Sequence, residues 1–303
     1  MSAKARAAFV RAQAKINLFL RVGGQNTDGY HDLLTLFQRI DLADDVVVRV
    51  ETATREVRCS GPVLPAQGLG PAEQNLAYRA AAAYAEHAGW PDGFDIEITK
   101  RIPVGGGLGG GSADAAATLR ALDTLAPRPV GEEALFQIAR TLGADVAFLT
   151  TSLVTSVAGG RGDLLYPSEL PRPLSPRNVV LLIPPFSVAT GDAYGWLDSD
   201  RPNAPDPAFR MTSTGDPWDV VERAAAKYGN DFEAPVEKRH PELADWRLRL
   251  DQLGARIARL SGSGSTVFGV FDGRPPADAS LPSAVQIVRT QTSARVVQVE
   301  AQK

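Results

Sequence analysis

Between Ile102 and Ala117 the chain reads Ile-Pro-Val-Gly-Gly-Gly-Leu-Gly-Gly-Gly-Ser-Ala-Asp-Ala-Ala-Ala, six glycines in seven positions directly before an alanine-rich run. Glycine admits left-handed backbone and lets a ligand reach main-chain N–H groups that a Cβ would cover. Ser112 is a good helix N-cap, Asp114 falls in the first turn, and Ala113 to Leu122 are strong helix formers. The loop is therefore expected to empty onto a helix N-terminus, where unpaired N–H donors and the helix dipole favour phosphate. A flexible linker would not carry a strand on one side and a cap on the other. The expected phosphate-binding positions are Gly105, Gly106, Gly107, Leu108, Gly109, Gly110, Gly111 and Ser112, with Pro103 at the entry.

Other phosphate loops fit less well. Gly105, Gly107 and Gly110 satisfy G-x-G-x-x-G, but almost any run this rich in glycine does. The preceding Phe94-Asp-Ile-Glu-Ile-Thr-Lys-Arg alternates apolar and polar residues, as a half-exposed strand does, whereas the first strand of a dinucleotide fold is continuously apolar. A Walker loop ends in Gly-Lys-Ser/Thr, and here Gly111 is followed by Ser-Ala-Asp. The His-Arg-Asp and Asp-Phe-Gly signatures of protein kinases are absent. A kinase of another lineage remains.

Bulk properties agree with a soluble enzyme. At 303 residues and 44% hydrophobic content the chain can bury substantial cores. With 32 basic and 35 acidic residues the net charge is −3, and no long basic run suggests a nucleic-acid partner. The lone Cys59 forms no intramolecular disulfide and fits a reducing, cytoplasmic setting. Val179 to Ile183 is stopped by Pro184 and Pro185, far short of a membrane span. A small-molecule partner is expected, with the chain a monomer or weak homodimer.

Ala14-Lys-Ile-Asn-Leu-Phe-Leu alternates, with Ala14, Ile16, Leu18 and Leu20 on one face and Lys15, Asn17 and Phe19 on the other. Helices are expected over 75–87, 112–125 and 132–142, with Gly143 as a C′ residue, and again over 218–227 and 241–253. Irregular alternation of strands and helices favours an α+β fold over a doubly wound sheet. Four prolines between Tyr166 and Pro176 mark a boundary, giving an N-terminal domain 1–168, which holds the phosphate loop, and a C-terminal domain 169–303. The Ser261-Gly-Ser-Gly-Ser stretch lies between two apolar runs and reads as a tight turn whose amides face a ligand.

Three separated pieces, the Ala14-Lys-Ile-Asn-Leu-Phe-Leu strand, the Pro103 to Ser112 loop and the Leu260-Ser-Gly-Ser-Gly-Ser turn, together resemble the GHMP small-molecule kinases. Asp28-Gly-Tyr-His, Leu36-Phe-Gln and Leu142-Gly-Ala-Asp-Val narrow the resemblance to members acting on cytidine diphosphate-linked methylerythritol, in the non-mevalonate isoprenoid pathway. The similarity runs from about Ala14 to Phe271. It implies a two-domain GHMP kinase-like fold with the active site in the cleft between domains, and ATP with Mg²⁺ as cofactors. The metal ligands are left open.

The resemblance also implies roles. Asp145 matches the catalytic aspartate, Lys15 the lysine beside it, and Asn17 a polar neighbour that helps hold substrate. Tyr30 and His31 match the pair that receives the cytosine ring, Tyr194 its other side, and Thr190 a further substrate contact. Asn75, Leu76 and Lys100 fall near the adenine pocket. Ala147, where proline is frequent in the family, leaves the geometry after Asp145 open. Other readings stand beside this one: a GHMP kinase acting on mevalonate, homoserine or a sugar, a regulatory module with a degenerate kinase site, or, more distantly, a dinucleotide-dependent oxidoreductase. The Gly29-Tyr-His turn with Tyr194 argues against the first, since those substrates have no base to stack, and retention of Lys15, Ser112 and Asp145 argues against the second.

Overall fold

The long alternating stretches near the start of the chain become two antiparallel strands, β1 (Ala7–Gln25) and β2 (His31–Val50), in a computed structural model that describes residues 6–27, 29–166, 174–201, 216–282 and 285–302. Asp28 and the expected domain boundary at 168/169 lie outside the described residues. The segment between β3 (Arg55–Ser60) and β4 (Phe94–Thr99) forms α1 (Leu76–Ala88), capped by the Asn75 side chain and ended by Gly89 at φ 63°. That φ is left-handed backbone, which glycine takes without strain.

Sheet one runs β11-β1-β2-β4-β3, where β11 is Glu300–Gln302; β5 (Thr155–Gly159) joins β2 beyond β4 and carries β6 (Leu164–Tyr166). Its helices are α1, α2 (Gly110–Leu125), α3 (Glu132–Leu142) and α4 (Ala144–Thr150). Sheet two has the order β10-β7-β9-β8, from β7 (Asn178–Ile183), β8 (Ile257–Leu260), β9 (Val267–Phe271) and β10 (Gln286–Gln291). With it go α5 (Thr190–Asp200), α6 (Pro217–Tyr228), α7 (Glu233–Glu237) and α8 (Pro241–Gln252). Apart from the parallel β3–β4 pair the strands are antiparallel, and their mixture with helices is the α+β class read from the sequence.

Two hydrophobic cores follow. One gathers Ile16, Leu18, Ile96, Leu119 and Leu122; the other gathers Val180, Leu182, Leu243, Leu250 and Val267. The far end of β1 supplies Leu20 and Val22 to the second core, so one continuous strand serves both.

Two local expectations need correction. Helix α2 starts two residues early, with Gly109 at φ 72° as its N-cap, so Ser112 is the third helical residue and Asp114 lies past the first turn. A left-handed glycine can turn the chain sharply into a helix without a side-chain cap. Gly143 does not form a left-handed C′ turn: at φ 150° and ψ 159° it links α3 directly to α4. Strand β1 is buried on both faces around Lys15 and Asn17, because the glycine loop and the Asp145 region cover the side that carries them.

Candidate active site

Strand β1 carries Lys15 into a cleft beneath the glycine loop. Its Nζ donates to Asn17 Oδ1 at 2.8 Å and Gly107 O at 3.0 Å, and lies 3.4 Å from Asp145 Oδ2. Lys15 is buried, whereas the Asp145 side chain keeps 31% exposure, so the carboxylate remains open to the cleft. Asn17 in turn donates to Thr35 Oγ1 at 2.8 Å, and Thr35 to Phe19 O at 2.7 Å, which fixes the amide's orientation.

The loop's carbonyls face the protein. Thr266 N donates to Gly106 O at 3.2 Å, Ser261 Oγ to Gly107 O at 3.0 Å, and Lys15 N to Leu108 O at 3.0 Å. A trans peptide sets its C=O and N–H on opposite sides. The N–H groups of Gly107, Leu108 and Gly109 therefore point away from that wall, and all three residues line the cleft. Those of Gly110, Gly111 and Ser112 open α2 and have no intrahelical acceptor. Together they make a six-amide anion cradle at the positive end of a helix.

The cleft encloses about 480 Å³ and is also lined by Asn17, Thr190, Tyr194 and Ser263. A smaller cavity of about 200 Å³, lined by Asn75, Leu76, Lys100, Ile102, Pro103 and Val104, shares Gly105, Gly110 and Gly111 with it. The sequence-derived nucleotide and phosphate positions thus meet around two adjoining spaces. Another cavity of about 510 Å³, between α3, the end of α4 and β6, contains none of them.

Within the smaller cavity Lys100 is not a free cation. Its Nζ donates to Asp44 Oδ2 at 2.5 Å and Asp114 Oδ2 at 2.6 Å, all three side chains being buried. Asp44 Oδ1 accepts from the amides of Arg101 and Ile102. Burial pushes the Asp114 carboxyl up to about 8, against the pull of Lys100 and with the help of the Asp44 charge.

The aromatic positions separate. Tyr194 lines the cleft, and its ring lies 4.9 Å from that of His31 at 31° and 4.9 Å from that of Phe232 edge-on. Burial and the carboxylates of Asp145 and Asp198 raise the Tyr194 phenol to about 12. His31 Nδ1 faces Gly23 O at 3.0 Å, a pure acceptor, so that nitrogen carries the proton. Tyr30 is 54% exposed, outside the cleft lining, with the Arg161 guanidinium 3.8 Å above its ring.

Residue patterns alone missed Thr35, Asp44 and Asn230, whose Nδ2 donates to Leu260 O and Gly262 O and braces the 261–265 turn. Each bonds to residues distant in sequence, so no local spacing marks it. The turn itself was legible as a glycine-serine stretch between strands.

Family models for the GHMP kinases N terminal domain and the GHMP kinases C terminal match residues 75–153 and 218–281. The 4-diphosphocytidyl-2-C-methyl-D-erythritol kinase of Anaeromyxobacter dehalogenans is 43% identical over 266 residues, 87% of this chain and 80% of that protein. The chain belongs to the GHMP kinase family. It is accordingly a small-molecule kinase, and the family's phosphoryl donor is ATP. A relative of the same name from Thermus thermophilus is 40% identical over 267 residues, 86% of this chain and 87% of that protein. A crystal structure of 4-(cytidine 5'-diphospho)-2C-methyl-D-erythritol kinase aligns with TM-score 0.72 and 36% identity, covering 94% of this chain and 99% of that one. Homoserine kinase from Cytophaga hutchinsonii, at 18% identity and TM-score 0.62, shares the GHMP kinase fold.

Proposed function

We propose that this GHMP kinase transfers the γ-phosphoryl group of ATP to the 2-hydroxyl of 4-diphosphocytidyl-2-C-methyl-D-erythritol. The relatives of that name, 43% and 40% identical over 87% and 86% of the chain, support the substrate. The Lys15–Asp145 pair opposite the six-amide cradle carries the chemistry.

Phosphoryl transfer passes through a loose transition state, so catalysis comes mainly from aligning donor and acceptor and neutralising the transferring oxygens. The amides from Gly107 to Ser112 neutralise the phosphates. The smaller cavity, with Asn75, Leu76 and Lys100 in its walls, receives the adenine, its lysine held between Asp44 and Asp114 rather than acting as a free charge. Asp145 accepts the proton of the acceptor hydroxyl, while Lys15, 3.4 Å from its carboxylate, donates to the transferring group. Tyr194, its ring tilted against that of His31, forms the wall against which the cytosine packs, with Tyr30 outside the cleft lining and Asn17 and Thr190 on the acceptor side.

Among the described residues no group of three His, Cys, Asp or Glu side chains gathers as a metal site. Mg²⁺ characteristically binds through one or two carboxylates together with substrate phosphates. Ser112, whose hydroxyl lies among the cradle residues lining the cleft, would meet such an ion together with the phosphates, and the ion would supply further charge neutralisation.

The test is ADP release with Mg-ATP and the cytidyl substrate, beside mevalonate, homoserine and galactose. Turnover with the cytidyl substrate alone is expected; turnover with another acceptor would discard the cytosine wall. Asp145→Asn is expected to lower turnover by about 10²- to 10⁴-fold while retaining ATP binding. Unchanged turnover would remove the proton-acceptor role.

A further inference from the structure

Asp145 sits on α4, a helix of only seven residues, too short to hold its own geometry. Both ends of that helix rest on one face of the β1–β2 ladder. Lys15 is paired directly with Arg39 there, and Asn17 with Phe37, so the four side chains project from the same side.

At the N-terminal end Lys15 Nζ lies 3.4 Å from Asp145 Oδ2. At the other end Arg39 Nη2 donates to Phe148 O at 3.3 Å, Leu149 O at 2.9 Å and Thr151 O at 2.9 Å, while its Nε donates to Leu153 O at 2.8 Å. Between the two cations Phe37 stacks on Phe148, with centroids 4.9 Å apart at 14°, and the Arg39 guanidinium lies 5.2 Å from the Phe148 ring.

Arg39 is among the largest fully buried side chains and makes no ion pair among the described residues. Burial, reinforced by the Arg120 charge, pushes its pKa down, which shows that the placement is unfavourable for a cation taken alone. What compensates is the row of carbonyls at the negative end of the α4 dipole. The planar guanidinium serves these four carbonyls from two nitrogens held in a fixed fork, Nε and Nη2, whereas a lysine offers one nitrogen at the end of a flexible stem.

We propose that Arg39 is a positioning residue for Asp145, clamping the C-terminal end of α4 to the strand pair while Lys15 holds the N-terminal end. The proposal rests on Asp145 being the proton acceptor. A helix of this length spans about 10 Å, so release of one end tilts the carboxylate at the other. Misplacement by about 1 Å can lower a rate by about 10²-fold without a change in binding.

The measurements are kcat, both KM values and melting temperature for Arg39→Lys and for Phe148→Leu, which removes the ring beneath the guanidinium. Each is expected to lower kcat by about tenfold or more, leaving KM for ATP and for the acceptor within about twofold. Leu250→Ala, in the second core, serves as the stability control and is expected to lower the melting temperature with kcat per folded molecule retained. In an Asp145→Asn background Arg39→Lys is expected to add no further loss, since it acts through that carboxylate. Losses that multiply in the double variant, or an Arg39→Lys protein with lowered melting temperature and full kcat, would overturn the clamp. Full turnover by Asp145→Asn alone would instead overturn the proton-acceptor reading on which the clamp rests.

Discussion

Gly107 is held to glycine by two independent constraints: its φ is 76°, and a Cβ there would stand 2.0 Å from Ser261 O and 2.9 Å from Gly264 O. Neither carbonyl can withdraw without opening the β8–β9 turn. Gly111 differs, since a Cβ there meets only Leu76 Cδ1 at 3.6 Å and the residue is helical. Gly107→Ala should therefore cost about 2–4 kcal/mol and raise KM for ATP, whereas Gly111→Ala should leave the melting temperature unchanged or higher, alanine being better in a helix by about 1 kcal/mol. Equal melting of the two variants would contradict the close approach of loop and turn. Asp114 gives a prediction of another kind. Its folded pKa, about 8, lies above its ordinary 3.8, so the folded state keeps a proton that the unfolded chain has released across that window. The contribution is present in full below about pH 4, falls as pH rises, and is gone above about pH 8. Asp114→Asn removes the titration, so the stability of the native protein relative to the variant, from urea unfolding at pH 5 and pH 8.5, should decline with pH. A constant difference would place the proton elsewhere.

Among the elements, α1 has its cap at a cavity wall: Asn75 accepts from Ala77 N at 2.9 Å and also lines the smaller cavity proposed for adenine. Asn75→Ala should lose about 1 kcal/mol. Asn75→Ser, which retains a capping oxygen, should recover the melting temperature while KM for ATP stays raised; full recovery of both would leave the residue with a cap role only. The same element shows what was legible in the sequence. Its Asn start and Gly89 stop are local signals, as are the alternation in β4, the glycine loop and the Ser/Gly turn, and the structure follows them. Helices α4 and α5 gave no such signal. Gly143 joins α3 to α4 with no intervening loop, and α5 buries only Ala193 and Leu197, too few to set a period. The start of α2 was misplaced because Ser112 has the better capping side chain, while the left-handed backbone that begins the helix belongs to Gly109. In the site, Lys15 and Asp145 could be paired only through the resemblance to a family, since the glycine loop and three helices separate them along the chain. The Asp44–Lys100–Asp114 cluster joins β2, the loop after β4 and α2, a set that no spacing rule connects.

Across the whole molecule the chain returns to where it began. After β10 in the second sheet it crosses β1 and ends as β11, pairing Ala7 with Gln302. Buried Gln13 receives this crossing: its Nε2 donates to Ser293 Oγ at 2.8 Å and Arg295 O at 3.2 Å, and its Oε1 accepts from Val297 N at 3.0 Å. Ser293 Oγ also donates to Asp41 Oδ1 at 2.7 Å, and Arg120 Nη2 donates to Val297 O at 2.6 Å. The cleft is likewise shared, with Lys15 and Asp145 from the first half and Tyr194, Phe232 and Ser263 from the second. Melting of one half therefore removes a wall of the cleft and the pairing of β1 from the other, which favours one cooperative transition. Deleting the residues after Thr292 would strip these bonds, each worth about 0.5–1.5 kcal/mol, and leave Gln13 unsatisfied at a further cost of about 1–3 kcal/mol. The melting temperature should fall on the order of 5–10 °C. In the full chain, far-ultraviolet circular dichroism and tryptophan fluorescence should melt together, and ATP should shift both by the same amount, because a single transition carries both signals. Two separate transitions, or a truncated protein melting with the full one, would mean that the halves fold independently and that the returning tail is not what joins them.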